Sequence, residues 1–61
     1  MANLTTKELD ALSDQLNYEK LMACKYTAAQ EGCGDTALAD TFSRCAKNHK
    51  DNYNDLLNFL K

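Results

Sequence analysis

The sequence predicts an all-α protein in which two helices form an antiparallel hairpin. Proline is absent and the only two glycines are Gly32 and Gly34, a composition typical of long uninterrupted helices. In each half of the chain, apolar residues recur at spacings of three and four, which is the period of a helix that buries one face. The glycines separate the two halves, and a short loop makes the flanking helices antiparallel neighbours.

The first helix is expected over residues 6–31. Thr5 and Glu8 fit a capping box at its start, with Thr5 as the N-cap and Glu8 at the third helical position. The segment Gly32-Cys33-Gly34 is expected to end the helix, because glycine readily adopts the left-handed backbone conformation of a helix C-cap. The apolar seam of this helix consists of Leu9, Leu12, Leu16, Glu19, Ala23, Tyr26 and Gln30.

The second helix is expected over residues 36–60, after a loop at 32–35, with Asp35 as its N-cap and Thr36 as the lesser alternative. Its seam consists of Leu38, Phe42, Cys45, His49, Asn52, Leu56 and Phe59. Further apolar residues beside the seam make the buried face wider than a contact between two helices requires. We therefore predict one domain over residues 1–61 whose hairpin dimerises into a four-helix bundle, because a chain this short buries little core alone.

Glu19 and His49 are ionisable residues in the middle of these apolar seams. Folding the chain back at Gly34 pairs Tyr26 with Phe42 and places Glu19 and His49 in one layer near the middle of both helices. Three interpretations of Glu19 remain open: a side chain that reaches water from the edge of the seam, a hydrogen-bonded pair with His49, and a metal ligand.

Two residues that follow His49 extend this polar layer. Asn52 and Tyr53 are expected to join Glu19 and His49 in a buried polar layer, with the Tyr53 hydroxyl bonded to the pair. In a two-fold dimer, two Glu19 and two His49 side chains would supply four ligands, enough for a divalent ion such as zinc or iron. Cys45, one turn before His49, is a further candidate ligand, although a cysteine on a helix seam more often only packs.

Composition and motifs exclude several classes of function. The net charge of −2 argues against a nucleic-acid partner. An apolar run long enough for a membrane span is absent, as is a signal peptide, so an intracellular setting is expected. We find no glycine-rich phosphate loop, no Cys-x-x-Cys and no nucleophile elbow, so no motif indicates an enzyme. Whether the protein has catalytic activity is left open.

The cysteine count is odd, with Cys24, Cys33 and Cys45. An odd number excludes a complete set of intrachain disulfides, and free thiols in a reducing compartment are expected. Cys33 lies between two glycines in the loop and is expected to be the most accessible and most reactive thiol. On the first helix, Tyr18 and Leu21 are expected on the outward face.

Three segments resemble a known family: LTTKELDALSDQLNYEKLM at residues 4–22, GDTALADTF at 34–42 and NHKDNYNDLLNFL at 48–60. In these segments the chain resembles the ferritin-like helical proteins, and most closely the short spore-coat proteins of the coat F type from spore-forming Firmicutes. The resemblance implies a four-helix arrangement, deposition in the spore coat, other coat proteins as partners, and no established catalytic activity.

The same resemblance bears on the metal hypothesis. Ferritin-like di-iron proteins place one glutamate on a first helix and Glu-x-x-His on the next. Glu19 and His49 match two of these positions, but Ala46 stands where the second carboxylate would be. A dimer would then offer two carboxylates where a di-iron site needs four. A structural, coat-like homodimer is therefore the first hypothesis, and a small metal-binding or redox bundle with a Glu/His site at the dimer core is the alternative.

Overall fold

A computed structural model describes residues 3–61, which form two long helices packed side by side. Helix α1 spans Thr6–Glu31 and helix α2 spans Thr36–Leu57, and a single 3₁₀ turn at Asn58–Leu60 follows α2. The hairpin is a thin rod of 46 × 15 × 11 Å. The predicted all-helical hairpin is confirmed, although the last three residues assigned to the second helix form a tighter 3₁₀ turn.

The capping box at the start of α1 has both of its hydrogen bonds. The Glu8 backbone N–H donates to Thr5 Oγ1 at 3.1 Å, and the Thr5 backbone N–H donates to Glu8 Oε1 at 3.0 Å. The bond from the Thr5 backbone lowers the pKa of Glu8, because it favours the ionised carboxylate. The local sequence therefore determines where α1 begins.

The loop between the helices differs in one respect from the expectation. Gly32 does end α1, but its φ is −91°, so the predicted left-handed cap is wrong. Its N–H still donates to Ala28 O at 3.2 Å, and the Cys33 N–H bonds to Gln30 O, so the helix ends by tightening its last turn. The Asp35 side chain then accepts from the Leu38 N–H at 2.7 Å and caps α2, as predicted.

The interface between the helices is built on small residues. Ala23 and Ala46 are 6% and 4% exposed and are the most buried apolar residues of the described chain. The predicted seam of α2 is therefore rotated in the structure. Its centre is Ala46, which the spacing placed beside the seam, whereas Leu38 and Asn52 are exposed. Alanines at the two most buried positions allow a close approach of the helices, and Ala46 marks the buried side of α2.

Over residues 3–61, neither helix is both long enough and apolar enough to cross a membrane.

Candidate functional site

Glu19 and His49 meet in the middle of the hairpin. Glu19 Oε1 lies 2.5 Å from His49 Nδ1, across the interface between α1 and α2. Glu19 is only 5% exposed, and His49 is half-buried. Of the three interpretations that the sequence left open, the hydrogen-bonded pair describes the geometry of the single hairpin.

The second oxygen of Glu19 is also held. Gln15, one turn earlier on α1, donates from Nε2 to Glu19 Oε2 at 3.1 Å. The hydrogen bond from His49 lowers the pKa of Glu19, and the side chains of Gln15 and Asn52 act in the same direction while burial opposes them. These donors keep the carboxylate ionised and fix its orientation.

An ionised Glu19 determines which ring nitrogen of His49 holds a proton. A carboxylate only accepts hydrogen bonds, so His49 Nδ1 must be the donor. Within residues 3–61, His49 Nε2 has no hydrogen-bond partner, and no fully buried polar side-chain atom lacks one. Nε2 therefore reaches solvent, in agreement with the 21% exposure of the His49 side chain.

Two tyrosines from α1 hold the imidazole ring. Tyr26 stacks on it with ring centroids 5.7 Å apart and planes 5° apart, and Tyr18 contacts it edge-on at 6.1 Å. Tyr26 also packs against Phe42 at 5.9 Å, the pair that folding at Gly34 predicted. Aromatic contacts of this kind stabilise packing beyond the area that they bury. His49 is therefore restrained by a hydrogen bond at one edge and by rings on its sides.

Two residues at this site were missed by sequence reasoning. Tyr18 was expected on the outward face, yet its ring reaches around α1 to His49. Gln15 was not considered, although its spacing of four residues from Glu19 is the spacing at which helical side chains meet. The spacing could have predicted the contact of Gln15 with Glu19. The contact of Tyr18 with His49 could not be predicted in this way, because it depends on how far the ring extends from α1 towards α2.

Of the four residues predicted to form the polar layer, Asn52 also lies beside Glu19 in the single hairpin. It is exposed at the rim of a groove that Glu19 lines, and its side chain helps to lower the pKa of Glu19. Tyr53 is half-buried and lines a different groove, and no hydrogen bond joins it to the pair within the described residues. The rotation of α2 that centres Ala46 in the interface moves Asn52 towards solvent.

The predicted metal ligands are not gathered within one chain. Among residues 3–61, no three His, Cys, Asp or Glu side chains lie close enough together to hold a metal ion. Cys45 is half-buried and does not form a cluster with Glu19 and His49. Both oxygens of Glu19 are engaged by Gln15 and His49, so Glu19 does not fit a direct ligand unless these bonds break. His49 Nε2 is the one nitrogen of the pair that fits direct ligation.

The accessibility of the cysteines also differs from the prediction. Cys33 is half-buried, and its thiol donates to the Asp35 carbonyl oxygen at 3.4 Å, so its predicted role as the most accessible thiol is wrong. Cys24 is the exposed cysteine. It lines a groove of about 270 Å³ together with Lys20, Lys50 and Tyr53. In the described part of the chain all three cysteines are free.

Comparison with known proteins gives no relative for this chain: no family model matches it, and neither do curated proteins or solved structures. The resemblance to ferritin-like and spore-coat proteins stays a prediction from the three sequence segments.

Proposed function

We propose that this chain is a structural or interaction protein that works as a homodimer, with two hairpins packed as a four-helix bundle. One observation supports this most directly. The buried apolar residues of the described chain are two alanines, whereas larger apolar side chains remain substantially exposed, namely Leu9, Tyr18, Leu21, Leu38, Phe59 and Leu60. A second copy would cover part of this surface.

The energetic reason lies in the size of the core. Burying a large apolar side chain contributes roughly 1.5–3 kcal/mol, and a buried alanine contributes far less. In the described part of the chain no large side chain is fully buried between the two helices. Short chains with so small a core are usually stabilised by association, metals or disulfides, and the three cysteines within residues 3–61 are free.

Sedimentation of the full chain over a range of micromolar concentrations tests the dimer. We expect twice the chain mass, and a melting temperature that rises with protein concentration, because association stabilises the folded state by mass action. A folded species with the mass of one chain and a melting temperature independent of concentration would refute the proposal.

The role of the dimer follows from the sequence resemblance alone. We propose a coat-like packing role, with other spore-coat proteins as partners and no catalysis of its own. Immunolabelling of sporulating source cells distinguishes the alternatives. Label on the spore surface supports the role, and label confined to vegetative cytoplasm contradicts it while leaving the dimer proposal intact.

A second candidate function is the binding of a divalent metal such as zinc or iron at the dimer core. The observation in its favour is that Nδ1 of His49 is held by a buried carboxylate while Nε2 faces solvent. In metal sites, a carboxylate on the far nitrogen commonly orients the ligating histidine. In this arrangement His49 Nε2 is the ligand and Glu19 a positioning residue. A zinc ion would link the two copies, and iron would add redox chemistry.

Titration of chelator-free protein with zinc or iron tests the metal hypothesis. We expect His49→Gln to abolish binding and Glu19→Gln to weaken it roughly 10- to 100-fold, as is usual when a carboxylate behind a metal ligand is removed. Cys45→Ser tests separately whether the Cys45 thiol is a metal ligand, since an unchanged metal affinity would exclude that role. Wild-type protein that binds neither metal and whose melting temperature does not change would refute this candidate.

A further inference from the structure

The two flanks of the hairpin differ in chemistry at its middle. One flank, here called the aromatic face, consists of Tyr18, Tyr26, Phe42 and His49, whose rings contact one another. The other, here called the lysine flank, contains the groove lined by Lys20, Cys24 and Lys50. Tyr18 and Lys20 lie about 200° apart around α1, since successive helical residues are rotated by about 100°. The two flanks therefore lie on opposite sides of the interface between the helices.

A second copy fits the aromatic face better than the lysine flank. Docking through the lysine flank would bring Lys20 and Lys50 of both copies together near the centre of the contact, where like charges repel. The aromatic face presents Tyr18, which is 49% exposed, and the accessible edge of His49. Half-exposed tyrosines with rigid, amphipathic rings are the residues that most often anchor protein interfaces.

The exposed charges are distributed unevenly along the rod. The terminal half, residues 3–18 and 51–61, has net charge −3, from Glu8, Asp10, Asp14, Asp51 and Asp55 against Lys7 and Lys61. The loop half, residues 21–48, is neutral, with Lys25, Arg44 and Lys47 against Glu31, Asp35 and Asp40. The Lys47–Asp51 ion pair joins the two halves and is self-neutralising, so the remaining charges leave −2 on the terminal half and −1 on the loop half.

This distribution favours one direction of docking. In a parallel dimer the two more acidic halves would lie side by side, whereas in an antiparallel dimer each of them faces the less acidic half of the other copy. Packed helices are about 8–10 Å apart, close to the Debye length at physiological salt, so charges that flank the interface still repel.

The position of the polar layer is compatible with the antiparallel direction. Glu19 lies at the middle of α1, Thr6–Glu31. In an antiparallel dimer, a residue above the midpoint of one rod faces a residue equally far below the midpoint of the other. A polar layer near one end would face apolar residues of the second copy. Because the Glu19–His49 layer is central, each copy meets the same layer of the other in this direction.

We propose that the second copy docks on the aromatic face in the antiparallel direction, so that the loop of each hairpin lies beside the terminal end of the other. This inference rests on the homodimer proposed above. It names the surface and the direction, which the dimer proposal alone does not.

A spin-label distance measurement on the full chain tests the direction. In the variant Cys24→Ala with Cys45→Ala, Cys33 in the loop is the one cysteine left to label. The hairpin is 46 Å long with the loop at one end. The antiparallel dimer therefore predicts loop labels roughly 40 Å apart, the length of α1 at 1.5 Å per residue. A parallel dimer predicts loop labels within about 20 Å, because only the spacing between neighbouring helices separates them.

A second label position separates failure of the direction from failure of the dimer. Asn17 is exposed, lies at mid-height and is rotated by about 200° around α1 from Glu19, away from the aromatic face. Asn17→Cys, in a chain whose native cysteines are all alanine, therefore gives a similar distance in either direction. A measurable distance at Asn17 with a long distance at Cys33 supports the proposal. A short Cys33 distance overturns the direction while the dimer stands. Labelled protein of single-chain mass, without dipolar coupling at either position, overturns the homodimer itself.

Two matched substitutions test the choice of face. Tyr18→Ser removes the exposed ring of the aromatic face, and Leu21→Ser removes an even more exposed side chain, at 65%, three residues further along α1. We expect Tyr18→Ser to raise the dissociation constant at least about tenfold, as is usual for an anchoring residue, and Leu21→Ser to change it less than about threefold. The reverse order would overturn the choice of face. If Tyr18→Ser loses its helical circular dichroism, Tyr18→Asn gives a second test at the same position.

Discussion

Replacing Tyr26 with leucine tests whether the aromatic stack restrains His49. The Tyr26 ring lies parallel to the imidazole at 5.7 Å and packs against Phe42 at 5.9 Å. Leucine keeps a large apolar side chain at this half-buried position and is a good helix former, so the substitution mainly removes two ring contacts. Ring pairs contribute roughly 0.5–1.5 kcal/mol each beyond the area that they bury. We therefore expect the free energy of unfolding to fall by about 1–3 kcal/mol.

Thermal unfolding followed by far-ultraviolet circular dichroism measures this loss. For a domain of this size, each kcal/mol lowers the melting temperature by roughly 4–8 °C, so a fall between about 5 and 20 °C is expected. Protein concentration must be the same for every variant, because the melting temperature of a dimer depends on it. Tyr53→Leu is the matched control, since Tyr53 is also half-buried but has no ring neighbour within residues 3–61.

A double-mutant cycle distinguishes ring contacts from simple loss of volume. Tyr26→Leu and Phe42→Leu are made singly and together, and we expect a coupling energy of about 0.5–1.5 kcal/mol from the shared contact. Equal destabilisation by Tyr26→Leu and Tyr53→Leu, together with additive effects in the cycle, would refute the idea that the stacked rings stabilise the site.

Three further predictions concern the pair, the helix interface and the second cap. The pKa of Glu19 is lowered in the folded state, chiefly by the bond from His49, so its contribution is complete above the unfolded pKa and is lost as pH falls through the lower folded value. In acid titrations below about pH 5, wild type should therefore lose more stability than Glu19→Gln, and parallel curves would contradict this. Ala46→Leu should lower the free energy of unfolding by about 1–3 kcal/mol, because the larger side chain forces the helices apart. Ala28→Leu, on the exposed side of α1, should change it by less than about 0.5 kcal/mol. Chemical denaturation measures both, and equal losses in the two variants would contradict close packing at Ala46. Asp35→Ala removes the N-cap of α2 and should cost about 1 kcal/mol, with hydrogen exchange fastest in the first turn of α2; protection there equal to wild type would contradict the capping role.

Sequence reasoning was most successful where the interactions are local. Thr5 and Glu8 satisfy each other's backbone N–H groups within one turn, and Asp35 accepts from an N–H three residues away, so both helix starts follow from neighbouring residues. The two-glycine loop between periodic segments implied the hairpin, and counting back from it paired Tyr26 with Phe42 and Glu19 with His49. Which residues of the two helices lie opposite each other depends on their distance from the loop, and the position of the loop could be predicted from the sequence.

Only the tertiary structure decided how each helix is rotated about its axis. Apolar spacing defines a broad stripe, and within that stripe the structure makes Ala23 and Ala46 the most buried apolar positions. That rotation leaves Asn52 exposed beside Glu19 and places Tyr53 on a different groove, neither of which the spacing indicated. The sequence by itself therefore determined the helices, their caps and the level at which Glu19 meets His49. Only the packing of α1 against α2 decided which other side chains surround the pair, because the rotation of each helix about its axis depends on the side chains of both helices.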